Sequence, residues 1–235
     1  MSKKIRCIFH AENTASLVLY KNGFKCFGCG KRGQLKELPE TLQPLDGEIQ
    51  DEEPEDLTEK YKYIDSLPRK RIRGFDLPAD ERGYYITWSD GSCYKYRLYD
   101  AGKGPKYVGP RGVKPPLFWA RQSKARVLAL VEGELNCLSV AQAMEEWAVA
   151  SPGSASMFNQ DNLSKYLPVC KQYSNIVVIL DNDNAGIKGL IEAKAYLTYK
   201  LPFVEYIQMP VDANEIYESQ GRNVLREVLL TLPRK

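Results

Sequence analysis

Cys7-x2-His10 and Cys26-x2-Cys29, fifteen residues apart, hold the chain's one histidine and three of its six cysteines. Two ligands with two residues between them turn back onto one ion. Two such knuckles joined by a hairpin close a tetrahedron of three thiolates and one imidazole, a structural zinc site. Between the knuckles SLVLYKNGFKCF contains Asn22-Gly23, which predicts the turn of a ribbon. Gly28 and Gly30 leave backbone amides free to approach sulfur. A segment this small has too little core to fold alone, so zinc supplies much of its folding energy. Four protein ligands leave no open coordination position, so chemistry must be sought elsewhere.

Cys93, Cys137 and Cys170 stand alone in apolar or aromatic surroundings and read as small core fillers, which together with the cluster points to a reducing compartment. No apolar run is long enough to span a membrane, and Lys3 and Lys4 precede no signal-like stretch. We therefore expect a cytoplasmic location. The net charge of +3 hides a division: eight acidic and no basic residues lie between Asp46 and Glu59, leaving 33 basic against 22 acidic side chains elsewhere. Such a surplus fits a polyanionic partner. In the ribbon, Tyr20, Lys21, Phe24, Lys25, Phe27, Lys31 and Arg32 suit single-stranded nucleic acid, by stacking and by phosphate contact, although aromatics in a small ribbon equally serve as its core.

The acidic stretch from Leu42 to Lys60 reads as a linker extended by self-repulsion. Beyond it, YYITWSDGSCYKYRLYD (84–100) predicts an antiparallel hairpin turning at Asp90-Gly91, followed by a loop dense in glycine, proline and lysine. After Arg121, apolar runs of four to six residues alternate with amphipathic helical stretches, which predicts a mainly parallel sheet with helices on both faces. The expected class is α+β overall: a small zinc-ribbon β domain (1–41), an acidic linker (42–60), a mixed subdomain (61–120) and an α/β subdomain (121–235).

In parallel sheets ligands bind at the carboxyl ends of the strands. VVILDNDNAG puts Asp181 and Asp183 there, on one side of the chain, where they repel unless a cation lies between them. Mg²⁺ or Mn²⁺, which prefer oxygen ligands and retain exchangeable water, fit that need. LALVEGE ends another apolar strand at Glu132, and MPVDANE places Asp212 after a third. Singly, Asp183 or Asp212 reads as a helix N-cap and Glu132 as a turn residue; three strand-end acids together read as a metal-dependent centre.

At these residues the sequence resembles a known family. The first stretch is similar to the zinc-binding domain of DnaG-type bacterial and bacteriophage primases, and EGE with DNDNAG resembles the Toprim domain shared by those primases, type IA and II topoisomerases and related nucleases. The two occur in primase order, and YKYRLYDAGKGPKYVGP resembles the primase segment carrying a P-K-Y loop. Ile8 and Ala15 stand where the zinc motif usually has proline, and Asn136 where the first Toprim motif often has aspartate, so no metal role is assigned to Asn136. No G-x-x-x-x-G-K-[ST] occurs, so the phosphate-binding loop of a fused helicase is missing, and a compact phage primase or a primase fragment is expected.

The resemblance implies template-directed synthesis of short RNA primers on single-stranded DNA from ribonucleoside triphosphates, with a replicative helicase supplied as a separate chain and no membrane partner. It implies catalytic roles for Glu132, Asp181, Asp183 and Lys106, with Asp181, Asp183 and Asp212 holding the metal and Glu132 either a further metal ligand or a general base. It makes Arg97 and Lys106 nucleotide or template contacts, on a basic path with Arg69, Lys70, Arg71 and Arg73, then Lys103, Arg111 and Lys114. The rival readings are a Toprim nuclease using the same acids with water as nucleophile, and a non-catalytic single-strand-binding replisome protein.

Overall fold

The computed structural model describes residues 4–12, 15–20, 23–26, 28–39, 42, 57–102, 106–110, 113 and 115–234. The chain divides into two compact units, residues 1–55 with 111–113, and residues 56–110 with 114–235.

The first unit is a four-stranded antiparallel sheet of β1 (Lys4–Ile5), β2 (Leu17–Tyr20), β3 (Gly23–Cys26) and β4 (Arg32–Gly33), in that order. Among the described residues its buried cluster is Leu17, Leu19, Phe24 and Leu38 with Cys7 and Cys26, edged by Ile5, Leu35 and Leu42, a small core as expected of so short a segment. The turn expected at Asn22-Gly23 falls partly outside the described residues. Gly23 already pairs with Tyr20 as the first residue of the returning strand, and Asn22 lies outside the described residues.

The second unit opens with α1 (Leu57–Ser66), so the stretch read as linker through Lys60 is helical from Leu57; residues 43–56 lie outside the described residues. Two small antiparallel sheets follow. One is β5 (Arg69–Ile72) with β6 (Phe75–Pro78), and the other is β7 (Gly83–Thr87), β8 (Tyr94–Leu98) and β9 (Tyr107–Val108). The β7–β8 hairpin turns through Asp90-Gly91 as the sequence predicts, closed by Trp88 N–H donating to the Cys93 carbonyl at 3.0 Å. Alternation gives the three-stranded sheet two unlike faces: Tyr85 and Tyr94 pack on Ile64 of α1, while Ile86, Lys95, Arg97 and Tyr107 face a cavity.

The large sheet runs β10 (Phe118–Arg121), β12 (Ala148–Ser151), β11 (Val127–Val131), β13 (Asn175–Asp181), β14 (Val204–Met209). All pairs are parallel except β10 with β12. The sheet thus starts at Phe118, ahead of the boundary expected at 121. The helices are α2 (Glu134–Ala143), α3 (Gln160–Cys170), α4 (Asn184–Leu197), α5 (Ala213–Gln220) and α6 (Arg222–Thr231). They cover both faces, so the inner strands read as unbroken apolar runs: Ile176 through Leu180 are all buried. Cys93, Cys137 and Cys170 are buried thiols, as expected. No helix among the described residues is long and apolar enough to cross a membrane.

Candidate metal centre and active site

In the ribbon unit, the ligand atoms of Cys7, His10, Cys26 and Cys29 all lie within 4.8 Å of one another. Cys7 and Cys29 sulfurs are 3.9 Å apart, and Cys26 Sγ is 3.8 Å from His10 Nδ1; a tetrahedral zinc with bonds of about 2.3 Å to sulfur spans edges of this size. The donor set therefore fits zinc. Backbone amides of Gly28 and Cys29 each donate to Cys26 Sγ at 3.3 Å, and that of Phe9 to Cys7 Sγ at 3.3 Å. Gly28 is required by close approach, since a Cβ there would meet His10 Nε2 at 2.7 Å. Burial raises the Cys26 thiol, but the Ser16 hydroxyl and the amides of Cys29 and Gly28 outweigh it and bring the pKa to about 6.

Sequence reasoning missed Glu12. Its carboxylate accepts the Cys7 amide at 2.6 Å and the Ser16 amide at 3.0 Å, and faces His10 Nε2 at 3.2 Å. A histidine that donates its outer nitrogen to a carboxylate is locked in the tautomer that offers Nδ1 to a metal. Of the ribbon aromatics singled out, Phe24 is core and Phe27 lies outside the described residues. Among the described side chains of the ribbon the exposed ring is Phe9, stacked on Phe24 at 5.3 Å with Lys31 Nζ 5.6 Å above it.

In the second unit the acids stand at the carboxyl ends of three neighbouring strands: Glu132 after β11, Asp181 closing β13, and Asp212 beyond β14. Glu132 Oε2 accepts the Asp181 amide at 3.3 Å. Asp183 and Asp212 cap α4 and α5, accepting the amides of Gly186 at 2.7 Å and Glu215 at 3.0 Å. Helix α4 starts so close to the strand that a Cβ at Gly186 would lie 2.1 Å from the Asp181 carbonyl oxygen, which is why small residues follow DND. Glu132, Asp181 and Asp212 line a cavity of about 470 Å³; Asp183 does not. Burial first, then the charges of Glu132, Asp212 and Asp183, push the Asp181 carboxyl up to about 7. Glu132 is raised for the same reasons, burial foremost. These are partly buried oxygen donors whose charges repel, and a divalent cation relieves that repulsion. Among the described residues, only the cysteine–histidine group brings three or more ligand atoms within 4.8 Å. The wider-set acids fit an ion that keeps waters exchangeable with phosphate.

Asn136 holds Asp181 in place, its amide lying 3.4 Å from each carboxylate oxygen. Its own oxygen accepts the amide of Asn214 at 2.9 Å, and the Asn214 side chain donates to the Arg73 carbonyl and receives Arg73 Nε, each at 2.9 Å. Arg73 takes a positive φ of 52°.

Arg73, Lys95 and Arg97 form the basic wall of the cavity. Lys95 Nζ meets the buried Glu134 carboxylate and donates to the Gly153 carbonyl at 3.1 Å. Lys95 went unnoticed in the sequence although it precedes Arg97 by two residues and so shares its face. Lys106 lines a neighbouring cavity rather than the one with the acids, so direct contact with the reacting atoms is not what its position offers. Arg69 and Arg71 are exposed on β5, engaged with the backbone oxygen and the carboxylate of Asp76 at 3.1 and 3.5 Å, and line neither cavity. Lys103, Arg111 and Lys114 lie outside the described residues.

Residues 129–217 match the Toprim-like family model. A DNA primase of Listeria monocytogenes is 27% identical over 165 residues, 64% of this chain and 24% of that protein, so the chain spans about a quarter of this relative's length. The primase fragment of the bacteriophage T7 primase-helicase protein aligns over 96% of this chain and 98% of its own, at 20% identity and a TM-score of 0.54. The zinc-binding and RNA polymerase domains of Aquifex aeolicus primase align over 99% and 79%, at 20% identity and a TM-score of 0.50. A T7 lagging-strand DNA polymerase structure, with primase domains of two subunits bound to an RNA/DNA hybrid and dTTP, aligns over 72% of this chain and 93% of the matched one, at 20% identity and a TM-score of 0.54. The chain thus carries a Toprim-like domain and shares the fold of the zinc-binding and RNA polymerase domains of bacterial and bacteriophage primases.

Proposed function

We propose that this chain is a DNA primase, making short RNA primers on single-stranded DNA by joining ribonucleoside triphosphates. The observation that carries the reading is one cavity lined both by the carboxylates of Glu132, Asp181 and Asp212 and by the cations of Arg73, Lys95 and Arg97. That pairing serves a polyanionic substrate whose phosphate must meet both a metal and fixed positive charge. A chain that only bound single strands would gain nothing from crowded carboxylates facing phosphate.

Asp181 and Glu132 would hold Mg²⁺ or Mn²⁺, with Asp212 at the cavity edge and Asp183 biasing them by its charge. When bound, such an ion lowers the pKa of an attacking 3′-hydroxyl and neutralises phosphoryl oxygens. The protein's own part is placement: Asn136 orients Asp181, Lys95 and Arg97 draw the phosphates in, and Glu134 holds Lys95. Lys106 binds nucleotide or template phosphate from the adjoining cavity. The ribbon, held by Cys7, His10, Cys26 and Cys29, offers Phe9 and Lys31 to template bases. Its thiolates require the reducing conditions of a cytoplasm, and a separate helicase would supply the unwound strand. The matched T7 primase domains bound to an RNA/DNA hybrid support the same substrate class.

The test is to incubate the protein with ribonucleoside triphosphates, Mg²⁺ or Mn²⁺ and single-stranded DNA. Short RNA products are expected. None from the intact protein, or full activity in Asp181→Ala, overturns the reading; release of nucleotides from the DNA would favour the nuclease alternative.

A further inference from the structure

Asn136 is buried beside the strand-end acids, and its neighbours fix which way its carboxamide points. Its oxygen accepts the backbone amide of Asn214 at 2.9 Å. Asn214 is the second residue of α5, so that amide is one of the four at a helix start that find no partner inside the helix. A backbone N–H can only donate. A flipped carboxamide would set N–H against N–H at α5 and oxygen against carboxylate at Asp181, so the nitrogen must be the end that faces Asp181. It lies 3.4 Å from each carboxylate oxygen. Asn214 is itself held: its side chain donates to the Arg73 carbonyl at 2.9 Å and to the buried Ser139 hydroxyl at 3.0 Å, and accepts from Arg73 Nε at 2.9 Å.

The one carboxamide atom able to ligate an ion is therefore committed to α5, and what Asn136 shows the acids is a donor. That donor offsets part of the repulsion Asp181 feels from Glu132 and Asp212, and it engages the oxygens an ion would use. An aspartate has the same shape and the opposite effect. One of its oxygens can keep the Asn214 amide, while the other would stand where the nitrogen stands, adding a charge and a ligand. Affinity for hard divalent cations rises with the charge count of their ligands. We propose that Asn136 sets the metal affinity of this site: its donor holds the acids together without an ion and keeps a bound ion weak enough to exchange. The inference rests on the primase reading for where the ion sits and adds what limits how tightly it is held.

Titration of the zinc-loaded full chain with Mn²⁺, without nucleotide or DNA, measures this through the electron paramagnetic resonance of the free ion; binding that Asp181→Ala abolishes belongs to the site. Asn136→Asp should bind Mn²⁺ about tenfold more tightly. Without divalent cation its melting temperature should fall by about 2–4 °C, a deficit that saturating Mn²⁺ erases. Asn136→Ala, which removes the donor and adds no charge, should also melt lower, but with no gain in affinity. Unchanged or weaker Mn²⁺ binding in Asn136→Asp overturns the proposal, as does an equal gain in Asn136→Ala. An Asn136→Asp protein that stays destabilised or unfolded in saturating Mn²⁺ also overturns it, by giving Asn136 a purely structural role. Primer synthesis is scored separately: a chain that binds Mn²⁺ as described but makes no primer keeps the role of Asn136 and loses the primase reading, and the reverse result loses the role alone.

Discussion

Cys26 in the ribbon and Asp181 at the sheet handle negative charge in opposite ways. At Cys26, burial opposes ionisation, yet two amides and the Ser16 hydroxyl converge on the sulfur and hold its pKa to about 6. At Asp181, burial acts in the same sense, and the neighbours are further carboxylates, which leave its pKa at about 7 with only the long contacts of Asn136 to offset them. Cys26 is prepared for its metal before the metal arrives, while burial and the sulfurs of Cys26 and Cys29 raise the Cys7 thiol. Asp181 is prepared only if a metal arrives, and such a site can release and exchange it. The contrast separates an ion that holds a fold from one that takes part in turnover.

The largest effect expected from this contrast is on the ribbon. Apparent zinc binding in small zinc domains is worth about 10–16 kcal/mol at neutral pH, beside which the apolar cluster around Leu17, Leu19, Phe24 and Leu38 is small. Stripping zinc with a chelator, or making Cys29→Ala, should therefore unfold the ribbon outright and leave the second unit folded. Limited proteolysis reads the first. Tryptophan fluorescence reads the second, because Trp88, Trp119 and Trp147 all belong to that unit. A ribbon that stays protease-resistant without zinc would break the comparison at its root.

Next in size is Asp181→Asn. Losing a metal-binding carboxylate should lower primer synthesis about a thousandfold, since several kcal/mol of charge stabilisation vanish and each 1.4 kcal/mol is a factor of ten. Removing a repelled charge should at the same time raise the melting temperature of the metal-free protein by about 2–4 °C. Activity and stability moving in opposite directions is the signature; a joint fall would mean that Asp181 is structural.

Glu12→Gln probes the prepared site more finely. Glutamine retains an acceptor for the Cys7 and Ser16 amides but lacks the charge that faces His10 Nε2. Zinc affinity, read by competition with a chromogenic chelator, should fall about tenfold, the lower end for an outer-shell partner. No change would show that His10 orients itself.

These residues also show what a linear reading reaches. Ligand pairs two apart and acids at the ends of apolar runs are written locally, so the cysteine–histidine group and Glu132, Asp181 and Asp212 were legible. The parallel core was legible too, because a strand such as NIVVILD is buried on both faces. The partners were not. Glu12 matters through the amides of Cys7 and Ser16 and the His10 ring, which only the folded knuckle gathers, and Lys95 through the side of the hairpin that α1 leaves open. Arg69 and Arg71 lie exposed on β5, apart from the acid cavity, and of the basic residues from 69 to 73 only Arg73, past the strand end, lines it. The helix at Leu57 was written in Leu57, Tyr61 and Ile64 at helical spacing, but the run of acids before it masked the signal. Strand β10 is a four-residue antiparallel edge, too short to stand out from the loop before it.

The smallest effect expected is a slope with pH. In the unfolded chain an aspartate titrates near about 4, while in the metal-free fold Asp181 titrates at about 7. Between those values the folded state holds a proton that the unfolded state has released, so stability is highest below the unfolded pKa and falls as pH rises through the folded one. Glu132, also raised, adds to the same slope. The carboxylates held low by hydrogen bonds in this unit, Asp80, Asp90 and Glu146, act only below their ordinary range and do not oppose it there. The limit for one group is about 1.4 kcal/mol per pH unit; solvent reaching the open cavity reduces this, so a fall of about 1 kcal/mol over the window is expected. Tryptophan-monitored melting from pH 5 to 7.5 measures it in the second unit alone. Millimolar Mg²⁺ should flatten the slope by favouring the ionised acids, and Asp181→Asn should flatten it without Mg²⁺. A slope that survives in the Asp181→Asn protein would place the repulsion elsewhere, and the sheet would then be no less prepared for its metal than the ribbon.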